Sequence, residues 1–344
     1  MAGRPDFAVG RRRSGAIANN GQASILPTMS APKLAQPLAF QPIFMERIWG
    51  GRRLESLYGK RLPPGVRIGE SWEMVDRPEA QSVVHDGPFR GRTLHDLWMN
   101  DRPEVFGEVP DAPRFPILAK LLDAQENLSL QVHPPAKIAP ELGGEPKSEL
   151  WYIVDSTPNA ELFVGLRKTS SRRAFEKAIS ERTVEGHVHS IRVSPGDAMF
   201  LPSGRLHALG AGNVIVEIQQ NSDTTYRLYD WDRVKKGGPA REMQIEDALR
   251  CIDFGDREPA LLEPKGESLV RDEHFDVEKW SLAGEREIAP RGRFAIVVCL
   301  TGELQCSGAR FKPGDFFLVP AQLKERTIKP AGDNVSLLRV TLPL

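Results

Sequence analysis

The sequence predicts a mainly β protein: two jelly-roll barrels in tandem, with helices inserted between strands. Three observations carry this. Short apolar stretches alternate with Gly and Pro along most of the 344 residues, the pattern of short strands joined by tight turns. Few segments have the length and 3.6-residue period of a long helix, and no Gly-rich phosphate loop follows a strand, which disfavours a doubly wound α/β fold. Near the C-terminus, the stretch FKPGDFFLVP (311–320) repeats the Gly-to-Pro spacing of GDAMFLP (196–202), as an internal duplication would.

Taken in order, residues 1–36 are rich in Gly, Ala, Ser, Asn and Pro and read as a disordered leader. Its basic cluster, Arg11 to Arg13, lacks the apolar core that a signal peptide needs. Residues 37–84 read as short strands with tight turns. A helix is expected near Thr93, where Thr93 and Asp96 form a capping-box-like pair ahead of Leu94, Leu97 and Trp98. Residues 115–122 read as a buried strand and 125–133 as another. The Pro- and Gly-rich residues 134–147 form a loop, and 149–154 return to strand. A helix over 170–180, strands over 191–201 (turning at Pro195-Gly196-Asp197) and 214–220, and a helix over 244–252 follow. This organisation gives a catalytic domain over 37–254, a polar linker over 255–267 and a second barrel over 268–344.

Charge and cysteine content narrow the function. Lys plus Arg number 46 and Asp plus Glu number 46, so no global field argues for nucleic acid or an anionic membrane as partner, and any phosphate recognition must be local. No apolar run approaches the roughly 18 residues of a spanning helix. The cysteines, Cys251, Cys299 and Cys306, are odd in number and form no C-x-x-C pair, which fits a reducing cytoplasm and excludes a thiolate zinc site.

Two segments read as halves of one metal site. In an extended strand, side chains at i and i+2 share a face, so Gln131 and His133 aim at one spot. Glu149 begins a strand with Leu150, Trp151 and Tyr152, where a buried carboxylate needs a cationic partner. His207 ends the run Gly196 to His207, in which Pro202 and Gly204 set a turn. Two imidazoles, a carboxylate and an amide oxygen form a set suited to Zn2+, one per chain, or less selectively to Fe, Mn or Co. His187 and His189 are a rival chelating pair, set in a polar turn without a second motif.

The 196–207 segment has the spacing of the second cupin motif, and 131–149 is a variant of the first, with Gln where a second His is usual. Together with SLQVHP (129–134), KSELWY (147–152) and EIQQNSDTTYRLYD (217–230), these motifs resemble the type I mannose-6-phosphate isomerases in their short bacterial form, over roughly residues 37–254. The resemblance implies cupin barrels, a metal on Gln131, His133, Glu149 and His207, and interconversion of mannose 6-phosphate and fructose 6-phosphate. It places a catalytic Arg at Arg227, associates Ser129 with the phosphate, and associates Lys147 with the sugar or the proton transfer.

The residues allow plainer readings beside these. Glu217 lies within the apolar run Val214 to Ile218 and needs a partner, either a structural one such as Arg227 or the site itself. Arg227 has Asp230 and Asp232 nearby as surface partners. Lys147, two residues from Glu149, is expected to have its pKa lowered by a nearby divalent cation. In the second barrel Gln322 stands where Gly204 stood and Glu325 where His207 stood, so the repeat is expected to have lost its metal. A non-catalytic sugar-binding cupin and an Fe(II) cupin oxygenase are the competing function classes. Lys147, Glu217 and Arg227 count against the first, and Gln131 against the second.

Overall fold

The computed structural model describes residues 34–233, 237 and 241–343; most of the leader, up to Lys33, lies outside them. Within the described residues, strands gather into two large pairs of antiparallel sheets. The first pair is a six-stranded sheet ordered Ala198–Leu201, Glu149–Ser156, Asn213–Gln220, Ile117–Ala124, Ile68–Met74, Ile43–Gly51, and a five-stranded sheet ordered Val188–Arg192, Glu161–Leu166, His207–Leu209, Leu130–Val132, Tyr226–Tyr229. Inner side chains of both sheets, Leu122, Trp151, Ile153, Met199 and Ile215 from one and Leu162, Val164 and Leu209 from the other, meet in one core.

The second pair uses the C-terminal residues. Its six-stranded sheet runs Leu38–Ala39, Phe316–Val319, Ala295–Thr301, Val335–Thr341, Asp276–Leu282, Ser268–Arg271, so a strand from the start of the described chain closes a sheet otherwise built from its end. The other face of the first six-stranded sheet carries Ile117, Ala119, Leu121, Leu150, Tyr152, Val214, Val216 and Ile218. It packs into one core with Ile296, Val298, Phe316, Leu318, Leu338 and Val340 of the C-terminal sheet. Strands covered on both faces should read as nearly unbroken apolar runs. Ile117–Ala124 and Asn213–Gln220 largely do so, and Lys120 and Glu217 stand on the face opposite the one shared with the C-terminal sheet.

The helices cover the flanks. Leu94–Asn100 starts where Thr93 Oγ1 accepts the Asp96 N–H at 3.0 Å, satisfying one of the free donors of the first turn. Arg172–Glu181 starts at Ser171, whose Oγ accepts the Ala174 N–H at 3.2 Å. With Ile245–Cys251 it packs on the outer face of the five-stranded sheet through Phe175, Ala248 and Cys251. The strand expected over 125–133 is confined to Leu130–Val132. Gln125 and Glu126 instead turn back, both N–H groups donating to Trp49 O.

The repeated spacing marks a repeated structure. In each copy the N–H of the residue before Pro donates to an aspartate Oδ2 at 2.8 Å, Ser194 to Asp197 and Lys312 to Asp315. The glycine N–H donates across to the neighbouring strand at 2.9 Å, Gly196 to Ile153 O and Gly314 to Cys299 O. Both glycines have left-handed φ, 100° and 85°, a conformation costly for a residue with Cβ. The copies diverge inside. Trp280, Ile288, Val297, Cys299, Leu304, Phe317, Leu323, Ile328 and Leu337 fill the second interior, and the Glu325 side chain, 60 % exposed, lies 3.9 Å from Lys329. Glu325→Ala is expected to leave metal content and activity nearly unchanged, since a weak surface pair contributes at most about 1 kcal/mol. A selective fall in bound metal at unchanged melting temperature would contradict that reading.

Candidate active site

Strand register assembles the site. Across the five-stranded sheet, Arg227 is the cross-strand partner of Gln131, and Gln131 the partner of His207. Across the facing sheet, Lys120, Glu217 and Trp151 are partners in one row. Residues directly opposite on antiparallel strands share a face, and the two rows line one cavity of about 290 Å³ that includes Ser129, Gln131, Lys147, Glu217 and Arg227. His133, Glu149 and His207 are outside its lining but adjoin it through Gln131 and Lys147, and are essentially without solvent contact.

In that buried cluster, His133 Nε2 lies 3.5 Å from Glu149 Oε2, His207 Nε2 lies 3.4 Å from Glu149 Oε1, and the Gln131 amide lies 3.3 Å from His207 Nε2. Ligands about 2.0–2.1 Å from a tetrahedrally held ion stand roughly 3.3 Å apart, so these separations suit one small cation. The other ring nitrogens are occupied: His133 Nδ1 donates to Thr224 O at 2.8 Å and His207 Nδ1 to Arg205 O at 2.9 Å. Both Nε2 lone pairs therefore face the centre. His133 Nε2 and both Glu149 oxygens are buried without a hydrogen-bond partner. Glu149 Oε2 has the Lys147 ammonium as an ion-pair partner at 2.7 Å, which leaves His133 Nε2 and Glu149 Oε1 as the unpartnered acceptors. Orphaned buried acceptors of this kind are what a divalent ion satisfies. The Gln131 amide places Nε2 toward His207; a half-turn presents its oxygen instead.

Electrostatics agree with a neutral-imidazole, ionised-carboxylate set. Burial, reinforced by Lys147, pulls the His133 pKa down to about 3. Burial likewise lowers that of His207. For Glu149 burial acts upward, yet Lys147 and His133 outweigh it and hold the carboxyl well below its ordinary value. For Glu217 burial prevails and raises the pKa against the pull of Lys120 and Lys147.

The expectation for Lys147 concerned a bound cation; the carboxylates around it act in the opposite direction. Burial alone would lower its pKa, but the Glu149 and Glu217 carboxylates, at 2.7 and 3.8 Å, raise it above the ordinary lysine value. The sequence argument counted the cation and left out the carboxylates. The partners of Glu217 are also not Arg227: Lys120 stands 3.3 Å from Oε2, and the Trp151 indole N–H donates to Oε1 at 3.0 Å. Asp230, offered as a partner for Arg227, is taken by Arg233 at 3.1 Å. Ser129 Oγ lies 3.4 Å from Gln131 Oε1, inside the cavity. The rival pair is elsewhere: His187 Nδ1 is 2.9 Å from Ser170 Oγ. Among the described residues, His133, Glu149 and His207 are the one cluster of three or more such side chains close enough to share a metal.

Several cavity residues escaped the sequence reading: Arg47, Glu70, Lys120, Asp223 and Arg241. Lys120 had a usable signal, a lysine inside the apolar run ILAKLL, the same anomaly that singled out Glu217. It lies 3.6 Å from Glu70 Oε2 and 5.0 Å from the Trp72 ring centroid. Burial would raise the Glu70 pKa, but Lys120 and Arg47 bring it down to about 2.

Comparison with known proteins follows the same line. A family model described as phosphomannose isomerase type I, catalytic domain, matches residues 38–150, and one described as mannose-6-phosphate isomerase, cupin domain, matches 265–340. Mannose-6-phosphate isomerase ManA of Bacillus subtilis is 36 % identical over 303 residues, 84 % of this chain and 95 % of that protein. The chain belongs to the type I phosphomannose isomerase family. A mannose-6-phosphate isomerase of Streptococcus mutans is 33 % identical over 302 residues, covering 85 % of this chain and 94 % of its own length. The crystal structure of the Bacillus subtilis mannose 6-phosphate isomerase superposes with a TM-score of 0.79 at 36 % identity, covering 89 % of this chain and all of the other. As a type I phosphomannose isomerase, the chain carries Ser129, Gln131, His133, Lys147 and Glu149 inside the segment matching the catalytic domain. His207, Glu217 and Arg227 follow beyond it.

Proposed function

We propose that this chain is a divalent-metal-dependent aldose–ketose isomerase that interconverts mannose 6-phosphate and fructose 6-phosphate, with Zn2+ as the ion, one per chain. The observation that carries the reading is a buried His-His-Glu cluster in contact with Gln131 and Lys147, two residues that line one cavity with Lys120, Glu217 and Arg227. Gln131, His133, Glu149 and His207 would hold the ion. When bound, it would supply Lewis-acid stabilisation for the negative charge that develops on the substrate oxygens.

The reaction moves a proton between C2 and C1 through an enediol. Lys147 projects into the cavity between Glu149 and Glu217 and is placed to exchange a proton with the substrate. Glu217 holds Lys147 and Lys120 from the opposite side, its own orientation fixed by the Trp151 indole. Arg227, with Ser129, holds the phosphate, for which a planar fork of donors is well matched. We read residues 37–254 as the catalytic domain, 255–267 as the linker and 268–344 as a cupin-like domain without metal. Three free, buried cysteines support a cytoplasmic setting. Among the described residues no helix is long and apolar enough to cross a membrane.

A coupled assay with mannose 6-phosphate tests the reading, and Arg227→Lys sharpens it. A point-charge ammonium cannot reproduce the guanidinium fork, so kcat/KM should fall about a hundredfold, the equivalent of losing one hydrogen bond to a charged group. Wild-type kinetics in the lysine variant would reduce Arg227 to a bystander at the cavity wall.

A further inference from the structure

The cavity carries more positive charge than the proposed ligands and proton-handling groups account for. Five cations, Arg47, Lys120, Lys147, Arg227 and Arg241, face four carboxylates, Glu70, Glu217 and Asp223 on the lining and Glu149 against Lys147. The deeper charges answer one another: Arg47 Nε donates to Glu70 at 2.7 Å, and Lys120 sits 3.6 Å from Glu70 and 3.3 Å from Glu217. Arg227 and Arg241 differ. Arg227 Nε is buried without a hydrogen-bond partner. Arg241 Nη1 stands 3.8 Å from Asp230 Oδ1, while Arg233 Nε takes Oδ2 at 3.1 Å. Burial lowers the pKa of both guanidinium groups, and Arg227 further opposes the charge of Arg241. Two like charges brought to one wall of a small cavity are unfavourable unless an anion meets them.

The pairing of these two arginines is built into the backbone. Gln244 N–H donates to Arg227 O at 2.9 Å, and Gln244 Oε1 accepts the Arg227 N–H at 3.2 Å. Three residues after Arg241, the chain is thus tied to Arg227 itself. Arg227 in turn is the strand partner of Gln131, so the backbone that carries both arginines is tied to the strand of a proposed metal ligand.

We propose that Arg241 is a substrate-binding residue which, paired with Arg227, holds the dianionic phosphate of the sugar at the end of the cavity away from the reacting carbons. Two planar forks can donate to several phosphate oxygens at once, and a dianion offsets both charges. The assignment deepens the isomerase reading and rests on it for the identity of the sugar.

The test uses the full, metal-loaded chain with Arg241→Gln and Arg241→Lys. Mannose 6-phosphate is the substrate and inorganic phosphate the competing probe. In the glutamine variant, KM and the inhibition constant for phosphate should rise together by roughly ten- to a hundredfold, the range for losing a hydrogen bond to a charged group. The loss should fall on KM far more than on kcat, with metal content unchanged, and the lysine variant should recover part of it. Wild-type KM and phosphate inhibition in either folded variant would overturn the assignment. Calorimetric titration with phosphate separates the two readings. Weaker phosphate binding by the variant, in a protein that does not turn over mannose 6-phosphate, would remove the isomerase reading and keep the phosphate site.

Discussion

His207→Ala is expected to abolish bound metal and activity together. The substitution removes one of the two Nε2 lone pairs that face Glu149, the one 3.4 Å from Oε1, and leaves Gln131, His133 and Glu149 as three ligands. A site that loses an imidazole from a four-ligand set binds a divalent ion far more weakly, and a buried Glu149 without its ion is then compensated chiefly by Lys147. The contrasting double variant, His187→Ala with His189→Ala, should keep both metal and activity, since His187 is engaged by Ser170 and neither side chain belongs to the cluster close enough to share a metal. Metal analysis on both proteins, folded by circular dichroism, reads the difference. Metal retained without His207 and lost without the 187/189 pair would overturn the site.

Lys147→Met should give the second large effect, of a different kind. It removes the ammonium 2.7 Å from Glu149 and 3.8 Å from Glu217 and puts an apolar side chain of similar length in its place. Lys120 remains 3.3 Å from Glu217, so that carboxylate keeps a partner, and the four proposed metal ligands are untouched. Metal content should therefore stay near one ion per chain while kcat falls by about 10²–10⁴, the usual contribution of a positioned proton donor or acceptor. A folded, metal-loaded methionine variant within tenfold of wild type would show that Lys147 does not move the proton. Loss of metal in step with activity would make it a support for Glu149 instead.

That His133, Glu149 and His207 come together was legible in the sequence because strand period and motif spacing act locally. Gln131 and His133 share a face by the period of two, and Gly204, with φ 92° and its N–H on His133 O at 2.8 Å, turns the chain back toward the first segment. Thr93 was readable as a cap for the same reason, its partner lying three residues away. The duplication was readable too, since both Pro-Gly-Asp turns need the same short-range hydrogen bonds.

What stayed hidden depends on tertiary register. Nothing local tells that Leu38–Ala39 pairs with Phe316–Val319, or that Lys120 stands opposite Glu217. Arg47 enters the cavity from the far strand of its sheet and Arg241 by the tie from Gln244 to Arg227, routes without a sequence pattern. The strand that was drawn too long failed at Gln125 and Glu126, which are diverted by bonds to Trp49 O from a distant strand. The second carboxylate beside Lys147 was hidden for the same reason, since Glu217 comes from a strand seventy positions on.

The central claim is that a metal ion held by Gln131, His133, Glu149 and His207 is needed to isomerise mannose 6-phosphate. Turnover of that substrate in a coupled assay, measured on one preparation as purified, after chelation with metal content verified, and after zinc is returned, tests it most directly. Activity should track zinc at about one ion per chain, vanishing on chelation and returning with the metal. Full turnover in a verified metal-free preparation would contradict it.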